Sequence, residues 1–225
     1  MNNQITRLDW SYNKLYNGCM LASVAHAIMV AHFPDIANEH SWDGINYSVQ
    51  DSAGMRGTIT FQRGFCVAAF RDDNSTRLEQ ELTKAQEYFD GAPNGLYQLA
   101  ENEALQYLLD SVDGNTVPVI TTAFWGHNDD FSTTDTIDSM LENGGILLER
   151  QLMPIDESFE SWKDYYEMSE TQMDLLHSIY ARLIQNEYQT ITLSKDEIEM
   201  IGAPDLNGIE ASRESFNEIG IQLEA

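Results

Sequence analysis

The order of apolar and polar positions along the chain predicts a mixture of helices and short strands. An almost continuous apolar run at 21–33 ends before Pro34 and predicts a buried helix. The segments 58–61 and 65–70 are apolar and β-branched on either side of a turn at 62–64, which predicts a β-hairpin. Capping-box patterns, Ser169 with Gln172 and Ser194 with Glu197, predict the starts of two further helices.

Weaker patterns predict the remaining elements. The expected helices cover 75–89, 101–112, 134–141, the segment after Pro154 and 208–219, and the expected strands cover 117–125, 146–153, 188–193 and 221–223. Helices outnumber strands without a regular βαβ alternation, so we predict an α+β fold. We expect one helix-rich domain over 1–225, with a small, mainly antiparallel sheet that includes the hairpin of the N-terminal third. A soft junction near 153–154 is an open alternative, since helices dominate beyond it.

The charge of the chain bears on its function, because the sequence contains 12 basic and 37 acidic residues and the formal net charge is -25. Residues 1–70 carry a net charge of -1, whereas 71–150 and 151–225 carry -12 each. Phosphate recognition depends on Lys and Arg, so direct binding to nucleic acid or to an anionic membrane is not expected. Solubility alone requires a net charge of only about 2–8. A basic protein partner is therefore the natural expectation.

Several other classes of function find little support in the sequence. No apolar stretch approaches the ~20 residues of a membrane span, and the N-terminus lacks a signal-peptide pattern, so we expect a cytoplasmic protein. Two cysteines form neither a disulfide framework nor a zinc set. His26 and His32 lie six residues apart, which places them on different faces of a helix. EF-hand and phosphate-loop patterns are absent, so we expect no metal and no cofactor.

One arrangement nevertheless allows an enzyme. Cys19 precedes the buried helix at 21–33, and a thiol at a helix N-terminus has a lowered pKa. His127 follows the expected strand 117–125, with Asp129 beside it, so the chain order suits a papain-like cysteine hydrolase. Against this reading, Cys19 lacks the papain surroundings, and free cysteines are often buried and inert.

The stretch 42–57 collects glycines, aromatic residues, Asp51 and Arg56 between a helix and a hairpin. Binding loops are often carried at such places, so a ligand pocket is one interpretation. The other, which we favour, is that the glycines serve turns and that Asp51 and Arg56 form an ordinary ion pair.

Acidic and aromatic residues alternate after Pro154, which is typical of interfaces with basic partners. Trp162 is either an anchor for a partner or a core residue, since Phe159, Trp162 and Tyr166 share one helix face. The residues that we expect to contact a partner are Asp129, Asp130, Glu157, Glu160, Trp162, Asp164 and Glu167.

These observations favour an acidic binding protein that inhibits or neutralises a basic partner enzyme. The profile is similar in class, though not in any residue motif, to bacterial toxin immunity proteins and to phage counter-defence inhibitors of nuclease-like enzymes. Two alternatives stay open. One is the cysteine hydrolase with Cys19, His127 and Asp129, and the other is a small-ligand-binding or structural module whose acidity serves solubility only.

Overall fold

A computed structural model describes residues 5–79, 85–185 and 190–224. Within these ranges the chain forms seven α-helices and eleven β-strands, in addition to several short 3-10 helices. In chain order they are β1 (Thr6–Leu8), α1 (Tyr12–Met29), β2 (His40–Asp43), β3 (Asn46–Gln50), β4 (Met55–Gln62), β5 (Phe65–Asp72), α2 (Asn94–Asn102), β6 (Leu109–Val112), β7 (Asn115–Pro118), β8 (Thr122–His127), β9 (Asp130–Thr133), α3 (Ile137–Glu142), α4 (Ile155–Tyr166), α5 (Glu170–Gln185), β10 (Ile191–Leu193), α6 (Lys195–Ile201), α7 (Leu206–Glu218) and β11 (Ile221–Leu223).

The α+β class predicted from the sequence is confirmed, and the sheet is larger than expected. The chain divides into two compact units, the first formed by Met1–Leu15 and Ile45–Glu149 and the second by Tyr16–Gly44 and Arg150–Ala225. Each unit draws on two separate stretches of sequence. Whether the whole chain behaves as one domain stays a prediction.

The first unit contains an antiparallel sheet in the order β1-β9-β8-β5-β4-β3. The predicted hairpin is confirmed as β4 and β5, whose two-residue loop, Arg63 and Gly64, has positive φ at both positions. This geometry matches the right-handed twist of the flanking strands. The central residues of β4, β5 and β8 are buried at consecutive positions, so both faces of these strands are covered, and in β5 this agrees with the apolar run 66–70.

A bidentate ion pair between Arg77 and Asp135 connects several polar groups of the first unit. Arg77 donates to both carboxylate oxygens of Asp135, at 2.8 and 2.9 Å, and also to the Thr121 carbonyl and the Ser139 hydroxyl. Asp135 accepts a further hydrogen bond from Thr122. Burial alone lowers the pKa of the Arg77 guanidinium, but the hydrogen bond and the charge of Asp135 outweigh it, so the pKa lies above its usual value.

The second unit packs helices around α1. Its core combines apolar residues of α1, α4, α5, α6 and α7 with the parallel two-stranded sheet of β10 and β11. Parallel strands need a crossover connection, and α6 and α7 supply it here. Both capping boxes are confirmed: Ser169 and Gln172 exchange reciprocal hydrogen bonds at the start of α5, and Ser194 and Glu197 do so at the start of α6.

Several predicted elements were wrong. A helix was expected at 101–112, but α2 ends at Asn102 and residues 109–112 form the strand β6. The turn residues Asp113 and Gly114 both have positive φ and connect β6 to β7 in a hairpin. The strand expected at 146–153 is two 3-10 helices, Gly145–Leu148 and Arg150–Leu152. Parts of the expected segments 75–89 and 188–193 lie outside the described residues.

The N-terminal helix also begins earlier than expected, at Tyr12 instead of residue 21. Gly18 explains how this helix packs within the second unit. A Cβ built on Gly18 would lie 1.9 Å from the carbonyl oxygen of Gln151, so only glycine fits at this approach. Across the described residues, no helix combines the length and hydropathy needed to cross a bilayer.

Candidate interaction surface

Helix α4 is built from a sequence that separates apolar and acidic residues by face. Pro154 precedes its first residue, and Asp156 and Glu157 lie in its first turn, where the positive end of the helix dipole favours carboxylates. Glu167 ends the helix in the left-handed conformation, with φ 52°. These local features favour a helix that begins at Ile155 and ends at Tyr166.

The buried face of α4 consists of Ser158, Phe159, Trp162 and Tyr166. Trp162 is only 2% exposed, stacks on Tyr166 with ring centroids 5.6 Å apart, and meets the His40 ring edge-on at 5.3 Å. In this conformation its indole ring belongs to the core of the second unit. We therefore leave Trp162 out of the surface that is available to a partner.

The outer face of α4 carries a row of carboxylates, which we call the acidic stripe: Glu157, Glu160, Asp164 and Glu167. The first three are separated by three and four residues, so they lie within about 60° of one another around the helix axis. Glu167 extends the row past the last turn. All four side chains are exposed.

No carboxylate of the acidic stripe has a hydrogen bond or an ion pair with any residue that the structure describes. Lys163 is the only base of α4, and it pairs instead with Glu170 at 2.5 Å. The hydrogen bond and the charge of Glu170 raise the pKa of Lys163. The charges of Glu160 and Asp164 also act on Lys163, so the stripe presents negative charge that is only partly compensated.

Asp129 and Asp130 belong to the first unit, at the turn between β8 and β9, and both are exposed. Asp130 accepts a hydrogen bond from Arg7 at 2.7 Å, in an ion pair whose side chains are 76% and 67% exposed. An exposed pair of this kind contributes only about 0–1 kcal/mol. A basic group of a partner can therefore compete with Arg7 at little energetic cost.

The residues of the possible cysteine hydrolase have other surroundings than expected. Cys19 is the eighth residue of α1 and is completely buried, because the helix begins at Tyr12. The dipole argument for a lowered thiol pKa applies only to the first turn, so it does not apply to Cys19. His127 is exposed in the first unit and stacks on Phe65 with ring centroids 4.3 Å apart.

The stretch 42–57 consists largely of strands, not of a binding loop. Asp51 accepts hydrogen bonds from the backbone N–H groups of Ala53 and Met55, both at 2.9 Å, and so shapes the turn before β4. Arg56 pairs with Asp73 at 2.9 Å, so the expected ion pair with Asp51 was wrong.

Sequence reasoning missed the packing of Arg150 on aromatic rings in the second unit. Arg150 lies over the rings of Tyr165 and Trp162, at 4.2 and 5.4 Å from their centroids. Tyr165 and Tyr166 both donate to the carboxylate of Glu39, at 3.0 and 3.1 Å. The only sequence signal was a lone base before an aromatic helix.

Both units of the structure carry a large negative net charge, although the first 70 residues of the sequence are nearly neutral. The first unit has 18 acidic and 7 basic residues, a net charge of -11, and the second has 19 acidic and 5 basic residues, a net charge of -14. The stripe thus lies in the unit with fewer bases. The part of the chain that the structure describes contains no group of three or more His, Cys, Asp or Glu side chains that could hold a metal ion.

Comparisons with protein-family models, with curated proteins and with solved structures found no match for this chain.

Proposed function

We propose that this chain is an acidic binding protein that inhibits or neutralises a basic partner enzyme in the cytoplasm. The observation that supports this proposal is the acidic stripe, a row of four exposed carboxylates that form no hydrogen bond or ion pair with a base among the described residues. A nuclease-like toxin or defence enzyme fits as the target, because enzymes that handle nucleic acids present cationic clefts.

The stripe lowers the stability of the helix that carries it. Like charges three or four residues apart destabilise a helix by about 0.2–0.5 kcal/mol per pair, and the stripe contains three such pairs. Asp164 and Glu167 also lie at the negative end of the helix dipole, where acidic side chains are unfavourable. A surface that costs stability in this way is typical of a surface used for recognition.

The same geometry defines what the partner must offer. Clustered carboxylates on one rigid helix face fit Lys and Arg side chains grouped along a groove, and complementary charge of this kind speeds association and fixes register. One exposed ion pair contributes little, so recognition depends on the group acting together.

Two triple variants with the same net charge separate local recognition from general acidity. The stripe variant carries Glu160→Lys, Asp164→Lys and Glu167→Lys, and keeps Glu157, whose place in the first turn stabilises the helix. The control variant carries Glu101→Lys, Glu142→Lys and Glu149→Lys, three exposed positions of the first unit without an ion pair among the described residues. Each variant, like the wild type, is used to capture partners, and the captured enzyme is then purified and assayed.

We expect the wild type and the control variant to capture the same basic enzyme and to inhibit it stoichiometrically. The stripe variant should fold normally, shown by an unchanged circular dichroism spectrum, but should neither capture nor inhibit that enzyme. If both variants inhibit as well as the wild type, the acidity serves solubility and the proposed function is wrong.

A further inference from the structure

Arg150 differs from the other arginines of this acidic chain in its surroundings. Six arginines donate to a carboxylate within the described residues: Arg7, Arg56, Arg71, Arg77, Arg182 and Arg213. Arg63 is exposed in the turn between β4 and β5. Arg150 is partly buried, yet its guanidinium has neither a hydrogen-bond acceptor nor an ion pair among the residues that the structure describes.

The aromatic rings of α4 hold this guanidinium in place. Its central carbon lies 4.2 Å from the centroid of Tyr165 and 5.4 Å from that of Trp162, within the range of cation–π attraction. The rings contact the guanidinium through their π systems and accept none of its N–H bonds in the usual sense. The guanidinium is therefore held in one orientation, and its buried Nε has no acceptor.

Two buried donors in this cluster have no acceptor. The Nε of Arg150 and the Nε1 of Trp162 are both shielded from solvent and unpartnered, and the Trp162 ring is 2% exposed. Buried donors without a partner are rare in proteins, because each costs about 1–3 kcal/mol. Two of them in one cluster indicate that an acceptor from outside the chain belongs there.

The carboxylate that contacts the same aromatic cluster does not pair with Arg150. Glu39 accepts hydrogen bonds from the hydroxyl groups of Tyr165 and Tyr166 and forms no ion pair with Arg150. His40, which meets Trp162 edge-on, adds no positive charge, because burial and the nearby His26 and Arg150 lower its pKa well below its usual value.

We propose that Arg150 is the recognition residue of a carboxylate-binding site in the second unit. A guanidinium fork matches the two oxygens of a carboxylate, and that pairing is among the strongest hydrogen-bonding arrangements in proteins. A phosphate dianion fits less well, because one cation faces it in a unit with a net charge of -14. The carboxylate comes from a small organic acid or from the C-terminus of a peptide. This inference does not rest on the proposed function.

The test is an NMR titration of the full-length protein, with the indole N–H signal of Trp162 as the reporter. The probes are acetate, N-acetylglycine as a peptide C-terminus, N-acetylglycinamide without the carboxylate, and inorganic phosphate, all at constant ionic strength. We expect a saturable shift with acetate or N-acetylglycine and none with the amide. Tighter binding of N-acetylglycine identifies a peptide terminus as the ligand, and equal or tighter binding of acetate identifies a small acid.

Variants assign the binding to Arg150. Arg150→Lys keeps the charge but loses the planar fork, so carboxylate binding should weaken by about tenfold or more. The matched control, Arg63→Lys, removes an exposed guanidinium from a turn and should leave the affinity unchanged. The proposal is overturned if neither carboxylate gives a saturable shift, if the amide or phosphate binds as tightly, or if Arg150→Lys binds like the wild type. The comparison of N-acetylglycine with N-acetylglycinamide uses the wild type alone, so it tests carboxylate binding even if a variant fails to fold.

Discussion

Replacing Gly18 with alanine tests the packing of α1 at its tightest point. A Cβ at this position would lie 1.9 Å from the carbonyl oxygen of Gln151, 2.7 Å from its carbonyl carbon and 2.9 Å from its Cα. All three atoms belong to the backbone, so no side-chain rotation can relieve the contact. Either α1 or the 3-10 helix Arg150–Leu152 has to move.

Two opposing effects set the size of the change. Alanine is better than glycine in a helix interior by about 1 kcal/mol, which favours the variant. Carbon and oxygen atoms in contact normally stay about 3.3 Å apart or more, so the backbone must shift by more than 1 Å. Overpacking a well-packed core costs about 1–3 kcal/mol, and a clash between backbone atoms lies at the upper end. We therefore expect Gly18→Ala to lower the free energy of unfolding by about 2 kcal/mol.

The assay is urea unfolding followed by circular dichroism, with Gly95→Ala as the matched control. Gly95 is also a helical glycine, in α2, but a Cβ there meets nothing within 4 Å, and its φ is not positive. The control should be as stable as the wild type or more stable by up to about 1 kcal/mol. A Gly18→Ala variant as stable as the wild type would refute the close approach of α1 to Gln151.

Three further predictions concern charge and pH. Asp135→Ala should lower the free energy of unfolding by about 2–4 kcal/mol, because it leaves Arg77 unpaired in a half-buried site. Asp130→Ala breaks an exposed pair and should lower it by at most about 1 kcal/mol. Similar losses for the two variants in denaturant titrations would contradict this prediction. Burial lowers the pKa of His40, so below about pH 6.5 this side chain binds a proton in the unfolded chain but stays neutral in the folded chain. Urea unfolding should therefore give a free energy of unfolding that is lower at about pH 5.5 than at pH 7, by about 1 kcal/mol. Equal stability at both pH values would argue against a buried neutral imidazole. The triple variant Glu160→Gln, Asp164→Asn and Glu167→Gln, which keeps Glu157, should raise the free energy of unfolding at low salt by up to about 1 kcal/mol, and the gain should shrink at high salt. An unchanged or lower stability would show that the stripe carries no repulsion.

Local signals in the sequence were sufficient where each element carries its own start or turn. The helices at 155–166, 170–185 and 195–201 begin with Pro154 or with a capping box, and each was predicted close to its observed position. The sequence alone was enough to name the four carboxylates of the acidic stripe, and their common face follows from the observed helix. Its buried face was predicted as well, since Phe159, Trp162 and Tyr166 recur at helical spacing.

Elements without such signals were predicted poorly, for physical reasons. The segment 145–152 buries Gly145, Leu148 and Gln151, every third residue, which is the period of a 3-10 helix and resembles neither a strand nor an α-helix. Apolar spacing at 101–112 suits a helix as well as a strand, and only the turn at Asp113 and Gly114 favours the hairpin that the structure contains. The surroundings of Arg150 depend on which carboxylates are held by other groups, and that is a tertiary property that no local pattern contains.

Recognition of a basic partner by the acidic stripe is tested most directly by the association rate with the captured enzyme, measured against salt concentration. The rate should be measured for the wild type, the stripe variant and the control variant from about 0.05 to about 0.5 M NaCl. We predict a steep fall in the wild-type rate as salt increases, a similar slope for the control variant, and a slower and flatter profile for the stripe variant. A wild-type rate that is the same at low and high salt would contradict this central claim, because recognition would then not depend on the charge of the stripe.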